Sequence, residues 1–330
     1  MKKIQTNSPC CGAKIHNYGN RRRQCSKCKK TWRIYKKKTG RKKLRVTTSI
    51  VEDVLVRGET ITQRSKRGKL SQHQYKLRYH RALEQHNKQW FPQIPKGKLI
   101  LLVDGLWVLC EKKQRHIIYL MAVRPINDTK AVLLPPILMY GGEIGKRWEI
   151  ALNSIPQEVS NSIVALVCDG ITGLQNSARR RNWIVQRCNF HCIQVIRKFR
   201  GRVNSTVGNR VLREDLYQSI RQAMIVPYGE KYEMIVNHIK ELLSDVNCPK
   251  CFRGYGIDFL RHREEFRAYI RYPQYNLPFT NSAMENLCGS LRSLLRRSRG
   301  FKTKKSLENW ISIFIKMKRE ITCNGKSTPS

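Results

Sequence analysis

Two runs of five apolar residues, each leading into Asp-Gly, constrain this chain more than any other feature. They are Leu99-Ile100-Leu101-Leu102-Val103 before Asp104-Gly105, and Ile163-Val164-Ala165-Leu166-Val167 before Cys168-Asp169-Gly170. A continuous apolar run of that length reads as a strand buried on both faces. Each run therefore predicts a central strand of an α/β sheet that ends on a carboxylate. An ionised carboxylate loses hydration in such a place unless a cation faces it, and two side by side repel until a cation relieves them. A single Asp-Gly is an ordinary turn signature, whereas a pair of them after buried strands points to a shared site. Mg²⁺ (or Mn²⁺) takes hard oxygen ligands, one or two carboxylates per ion with water and phosphate for the rest, and suits such a pair.

Around these runs the pattern alternates. Trp107–Cys110 and His116–Val123 predict antiparallel partners across the turn-like Glu111-Lys112-Lys113-Gln114. Residues 173–181 predict a helix and 183–188 a strand. From His191 to about Tyr272 the spacing is helical, with candidates at 211–224, 230–244 and 257–269. Further helices are expected over 282–297 and 304–321. A third acid, Glu285, stands in Thr280-Asn281-Ser282-Ala283-Met284-Glu285-Asn286, one turn into a helix that Thr280 or Asn281 would cap. That places it at the end of the helix that favours anions.

Charge narrows the partners. The chain of 330 residues carries 65 Lys and Arg against 23 Asp and Glu, a formal +42. Residues 1–98 hold 28 basic and 4 acidic side chains, so more than half of the excess lies in under a third of the length. Nucleic acid is the natural counterpart, because neutralising phosphates releases condensed counterions. No apolar run reaches the ~18–20 residues of a membrane span, and the first residues lack the apolar stretch of a secretory signal. A prokaryotic cytoplasmic, nucleoid-associated protein is the expectation.

The twelve cysteines fall partly at CxxC or CxxH spacing, which in a reducing compartment points to zinc. Cys25-Ser26-Lys27-Cys28 followed by Thr31-Trp32 forms one knuckle. Its partner must lie upstream, in Ser8-Pro9-Cys10-Cys11-Gly12, where Cys10 and Cys11, or His16, complete a Zn²⁺ set with Cys25 and Cys28. The alternative is a metal-free basic arm. Arg21, Arg22, Arg23, Lys36, Lys37, Lys38, Arg41, Lys42 and Lys43 are expected along phosphates. After them, Ile50, Val51, Val54 and Leu55 form one helix face, and a second helix over 72–89, opened by Ser71, carries Tyr75, Tyr79, Leu83 and His86, a pattern compatible with a helix-turn-helix.

Four features together, Leu101-Leu102-Val103-Asp104-Gly105, Leu166-Val167-Cys168-Asp169-Gly170, Cys188-Asn189-Phe190-His191 and the Thr-Asn-x-x-x-Glu helix, resemble the Mutator-like DDE transposases of bacterial insertion sequences over about 99–320. The basic continuation through Arg296 and Arg297 is similar too, and the first residues resemble the zinc ribbons that begin many such proteins. The resemblance implies an RNase H-like mixed sheet interrupted by a helical insertion between the second Asp and the Glu. The 115 intervening residues agree with that. It further implies Asp104, Asp169 and Glu285 as metal ligands, Cys188 and His191 as support of the site, double-stranded DNA (terminal inverted repeats and target) as partner, and a homo-oligomer. The expected regions are 1–43 (ribbon), 44–95 (helix-turn-helix), 96–190 and 276–330 (catalytic core) and 191–275 (insertion). A Cys₃His zinc site joining Cys188 and His191 to Cys248 and Cys251 ranks below simple core packing. Rivals are a regulator made of ribbon plus helix-turn-helix, which leaves 99–320 unexplained, another nuclease of the same fold, and a transposase that binds without cutting.

Overall fold

The computed structural model describes residues 7–19, 22–33, 48–55, 57, 59–68, 70–86, 90–111, 113–171, 173–200, 210–297 and 303–323. Arg21, Lys36, Lys37, Lys38, Arg41, Lys42, Lys43 and the end of the helix expected over 72–89 lie outside them, as does the Arg297 side chain. The chain divides into two units, Met1–Thr47 and Thr48–Ser330.

The first unit is an antiparallel sheet of β1 (Ile15–Asn17), β2 (Arg22–Cys25) and β3 (Thr31–Arg33), in that order. Cys25 is its one fully buried apolar side chain among the described residues, so these strands have almost no core of their own and depend on what the cysteines do.

The second unit opens with α1 (Thr48–Leu55), α2 (Ile61–Arg67) and α3 (Gln72–His86). Thr60 and Gln63 form a capping box at the start of α2, and the Ser71 hydroxyl accepts the Gln74 N–H at the start of α3, as the sequence suggests. Both α1 and α2 pack on α3. Buried Asp53 is held by Arg64 at 2.7 Å.

Then come β4 (Leu99–Cys110), β5 (Gln114–Pro125), β6 (Lys130–Leu133), β7 (Ile137–Tyr140), α4 (Gly145–Asn153), α5 (Gln157–Ser162), β8 (Ile163–Cys168), α6 (Leu174–Arg180) and β9 (Ile184–Arg187). The insertion follows as α7 (Asn189–Arg200), α8 (Arg210–Ile225), α9 (Glu230–Ser244), α10 (Lys250–Phe266) and α11 (Ala268–Arg271). Finally α12 (Ser282–Arg297), α13 (Lys304–Lys318) and β10 (Glu320–Thr322) return to the sheet.

The fold is mixed α/β. Its sheet runs β10-β6-β5-β4-β8-β9, with β7 also on β5. β4 pairs antiparallel with β5, while β8 is parallel to β4 and β9 parallel to β8. Pleating sends Leu99, Leu101 and Val103 to one face, where they pack with Trp148 and Ala151 of α4 and Leu174 and Ala178 of α6. The alternate residues Ile100 and Leu102 are also fully buried, and α12 packs on β4 while α13 packs on β6. The insertion has a separate core around Leu216, Ile220, Val236, Ile239, Phe252 and Phe259.

Three expectations are corrected. The first strand does not end at Asp104, because β4 continues unbroken to Cys110, its second half forming a hairpin with β5. The helix expected over 304–321 stops at Lys318, where Arg319 takes a left-handed φ of 59° and turns the chain into β10, which pairs with β6. The helix expected at 257–269 begins seven residues earlier and is bent at His262. Truncating Leu216 to Ala inside the insertion core should cost about 2–5 kcal/mol in urea unfolding followed by circular dichroism.

Candidate active site

Asp104 lies mid-strand on β4, and Asp169 follows the last residue of β8. The parallel register sets Leu102 beside Val167, which brings the two acids to neighbouring positions where β8 leaves the sheet. Ligands of open α/β sheets gather at such carboxyl ends of strands. Glu285 arrives on the first turn of α12.

Asn281 fixes how that helix meets the sheet. Its side chain does not cap α12 but is buried and donates to the Val103 carbonyl at 2.7 Å. Its backbone N–H donates to the Cys188 sulfur at 3.2 Å. One turn beyond Glu285, the Cys288 thiol hydrogen-bonds Asp104. The Thr-Asn-x-x-x-Glu spacing thus locks a helix against the strand that carries the first acid.

The carboxylates feel one another. Burial first, then repulsion from Asp169 and Glu285, pushes Asp104 up to about 6. Asp169 is also raised, by burial above all, with Glu285 adding to it and His191 and Arg187 opposing it. The three do not close into a group within 4.8 Å of one another.

A fourth acid, absent from the sequence reading, joins them. Glu143 precedes α4, accepts the Trp148 indole N–H at 2.9 Å, and lies over Gly105, where an added Cβ would stand 2.3 Å from its Oε1. Gly105 is therefore not a turn residue; it leaves a notch for this carboxylate. Burial, with Asp169 next, raises Glu143 to about 7. The signal in the sequence was Asp-Gly itself, since a glycine inside a strand marks close approach.

Cys188 and His191 do reach the site. The Cys188 sulfur stands 3.8 Å from Glu285 Oε1 and His191 Nδ1 stands 3.4 Å from it. The Cys188 sulfur first, then Glu285, lifts His191 to about 10, so it is cationic at neutral pH. Cys248 and Cys251 are not part of this group. They belong to the insertion core, Cys248 buried and Cys251 packed against it, which removes the Cys₃His idea. Arg187 spans from the Gly170 carbonyl at 3.4 Å to Asp258 of α10 at 3.2 Å, and Gly170 takes φ 101° with no room for a Cβ beneath that guanidinium. Arg296 is exposed on α12, and Arg22 is exposed on β2.

In the first unit, Cys10, Cys11, Cys25 and Cys28 lie within 4.8 Å of one another and could hold zinc. Cys10 and Cys28 are 3.2 Å apart, Cys11 and Cys25 3.3 Å, and Cys11 and Cys28 3.9 Å. Tetrahedral zinc with Zn–S of about 2.3 Å spaces sulfurs by about 3.8 Å. Both adjacent cysteines contribute, while His16 turns away to Gln24. The Ser8 hydroxyl stands 3.3 Å from the Cys25 sulfur. It leads the contacts that bring Cys25 down to about 5, while against the opposing Lys30 N–H the Cys10 and other neighbouring sulfurs push Cys28 up to about 11, so the four thiols do not lose their protons equally readily.

Compared with protein-family models and with curated proteins, the chain matches none. No helix among the described residues is long and apolar enough to cross a membrane.

Two measurements follow from this geometry. Cys25→Ser should lower the zinc content of the purified chain by one equivalent in metal analysis and shift the emission of Trp32. Asp104 titrates above its unfolded value of roughly 3.9, so the native state binds its proton more tightly. Its contribution to stability is complete below pH ~4 and is lost as pH rises through about 6. Asp104→Asn should therefore stabilise the chain by about 3 kcal/mol at pH 8, a Tm rise of a few °C, with the gain vanishing at pH 4; an equal gain at both pH values would refute the burial-and-repulsion account.

Proposed function

We propose that this chain is a DDE transposase of RNase H-like fold, which binds the terminal repeats of its element and performs metal-dependent DNA strand cleavage and strand transfer. The observation that carries this reading is the convergence of Asp104, Asp169 and Glu285, far apart in sequence, where β8 leaves the sheet beside the middle of β4. The mixed sheet, the all-helical insertion between second and third acid, and the excess of basic charge agree with it.

The donor set suits Mg²⁺ or Mn²⁺, because Asp104 and Asp169, raised by burial first and by neighbouring carboxylates after it, offer hard oxygens beside Glu285 that a cation would satisfy. Asp104, Asp169 and Glu285 would hold it. When bound, the metal supplies activation of a water or 3′-hydroxyl and stabilisation of the leaving oxygen. The chain's own groups supply the rest. Asn281 and Cys288 hold α12 so that Glu285 faces the two Asp residues. His191 beside Glu285 and the exposed Arg296 on α12 supply basic side chains for a phosphate. The helices α1–α3 and the basic first unit are assigned to the repeats.

The test uses labelled DNA carrying the element's terminal repeats, with Mg²⁺, Mn²⁺ or EDTA. Wild-type protein should produce 3′-hydroxyl ends at the repeat boundary only with metal, and Asp104→Asn, Asp169→Asn and Glu285→Gln should each lower the rate at least ~10³-fold while still binding the repeats. Binding with no cleavage under any divalent metal would reduce the chain to a DNA-binding protein.

A further inference from the structure

We propose that Cys188, His191 and Glu285 form a second transition-metal site, of the class that takes Zn²⁺, beside the acids Asp104 and Asp169. Their ligand atoms all lie within 4.8 Å of one another. A tetrahedral zinc with Zn–S of about 2.3 Å and Zn–N and Zn–O of about 2.0–2.1 Å spaces sulfur and oxygen by about 3.6 Å and nitrogen and oxygen by about 3.3 Å. The corresponding separations here are 3.8 and 3.4 Å. The two edges that meet at Glu285 have the lengths of a zinc tetrahedron's, and the third, from Cys188 to His191, lies within 4.8 Å.

The surroundings are those of a metal thiolate. The Cys188 sulfur is buried and accepts the Asn281 N–H at the start of α12, an outer contact of the kind that orients and stabilises ligating groups. His191 is exposed and Glu285 half-buried, so the fourth position opens on solvent and a water can fill it. Thiolate, neutral imidazole and carboxylate balance the ion's two charges. Binding expels the Cys188 thiol proton and the His191 proton to solvent, with no electron transferred.

Such a site competes with the proposed one. Glu285 Oε1 given to this ion turns the carboxylate away from the set with Asp104 and Asp169, so zinc occupancy competes for the third acid and slows cleavage; this consequence rests on the transposase reading, while the site itself does not. The N-terminal cysteines lie in the other unit and share no ligand with it.

The experiment titrates the full chain, stripped of metal, with Co²⁺ and reads the thiolate charge-transfer absorbance. Wild type should take up two thiolate-bearing equivalents, Cys25→Ser one, and Cys188→Ser one. His191→Ala, at an exposed position, should weaken the second equivalent at least ~10-fold and serves if Cys188→Ser does not fold. Co²⁺ uptake by His191→Ala and Cys188→Ser equal to that of wild type overturns the proposal. In the cleavage assay, micromolar Zn²⁺ should suppress Mg²⁺-dependent nicking by wild type, and the ratio of activities with and without Zn²⁺ should return toward one in His191→Ala. Undiminished suppression in that variant also overturns it. A wild type that never nicks but shows the Cys188-dependent equivalent retires the transposase reading and leaves the metal site standing.

Discussion

Carboxylates gathered at the heart of an apolar sheet are the constraint on which the rest of this structure turns. Asp104 on β4, Asp169 after β8 and Glu143 before α4 stand where burial, and after it the neighbouring carboxylates, resist ionisation, with Glu285 on α12 beside them. A fold tolerates this only if the surrounding elements are fixed by other interactions. The apolar layers around Leu101, Trp148 and Leu174 provide them on one face. Asn281 and the sulfur of Cys188 provide them where α12 meets the sheet. The groups that oppose the acids, His191 and Arg187, each sit next to a piece of backbone that also anchors the insertion.

The sequence made much of this legible because periodicity and burial act locally. The runs 99–103 and 163–167 could only be central strands, and the helix over 282–297 has its ends where the pattern places them. The acids and the Cys-x-x-His therefore landed in one place. Asp104 illustrates the limit of the same logic. Asp-Gly reads locally as a turn, yet here it lies inside a strand, since what Gly105 accommodates is a side chain 38 residues away. Glu143 was invisible for that reason: Gly141-Gly142-Glu143 has no period, and its meaning depends on the notch opposite.

The short strands β6, β7 and β10 escaped for a related cause. Strands of three or four residues carry too little alternation to stand out, and β10 exists only because β6 offers an edge to pair with. In the first unit, the choice among Cys10, Cys11 and His16 depended on a chain reversal that brings two adjacent cysteines to opposite partners, Cys28 and Cys25. Spacing alone does not encode it.

The junction between sheet and insertion has a mechanical meaning. The insertion is built on its own core, and neighbouring residues of β9 clasp it: the Gln186 amide group bonds the Phe266 carbonyl and the Tyr269 N–H, and Arg187 grips Asp258 while lying against Phe266. The next residue is Cys188. The insertion is therefore joined to the edge strand one peptide before the sulfur that faces Glu285, with a second tie from Arg179 of α6 to Glu265 of α10. The helices of the insertion and the sulfur beside Glu285 thus share one short stretch of backbone, residues 186–188, as their common footing.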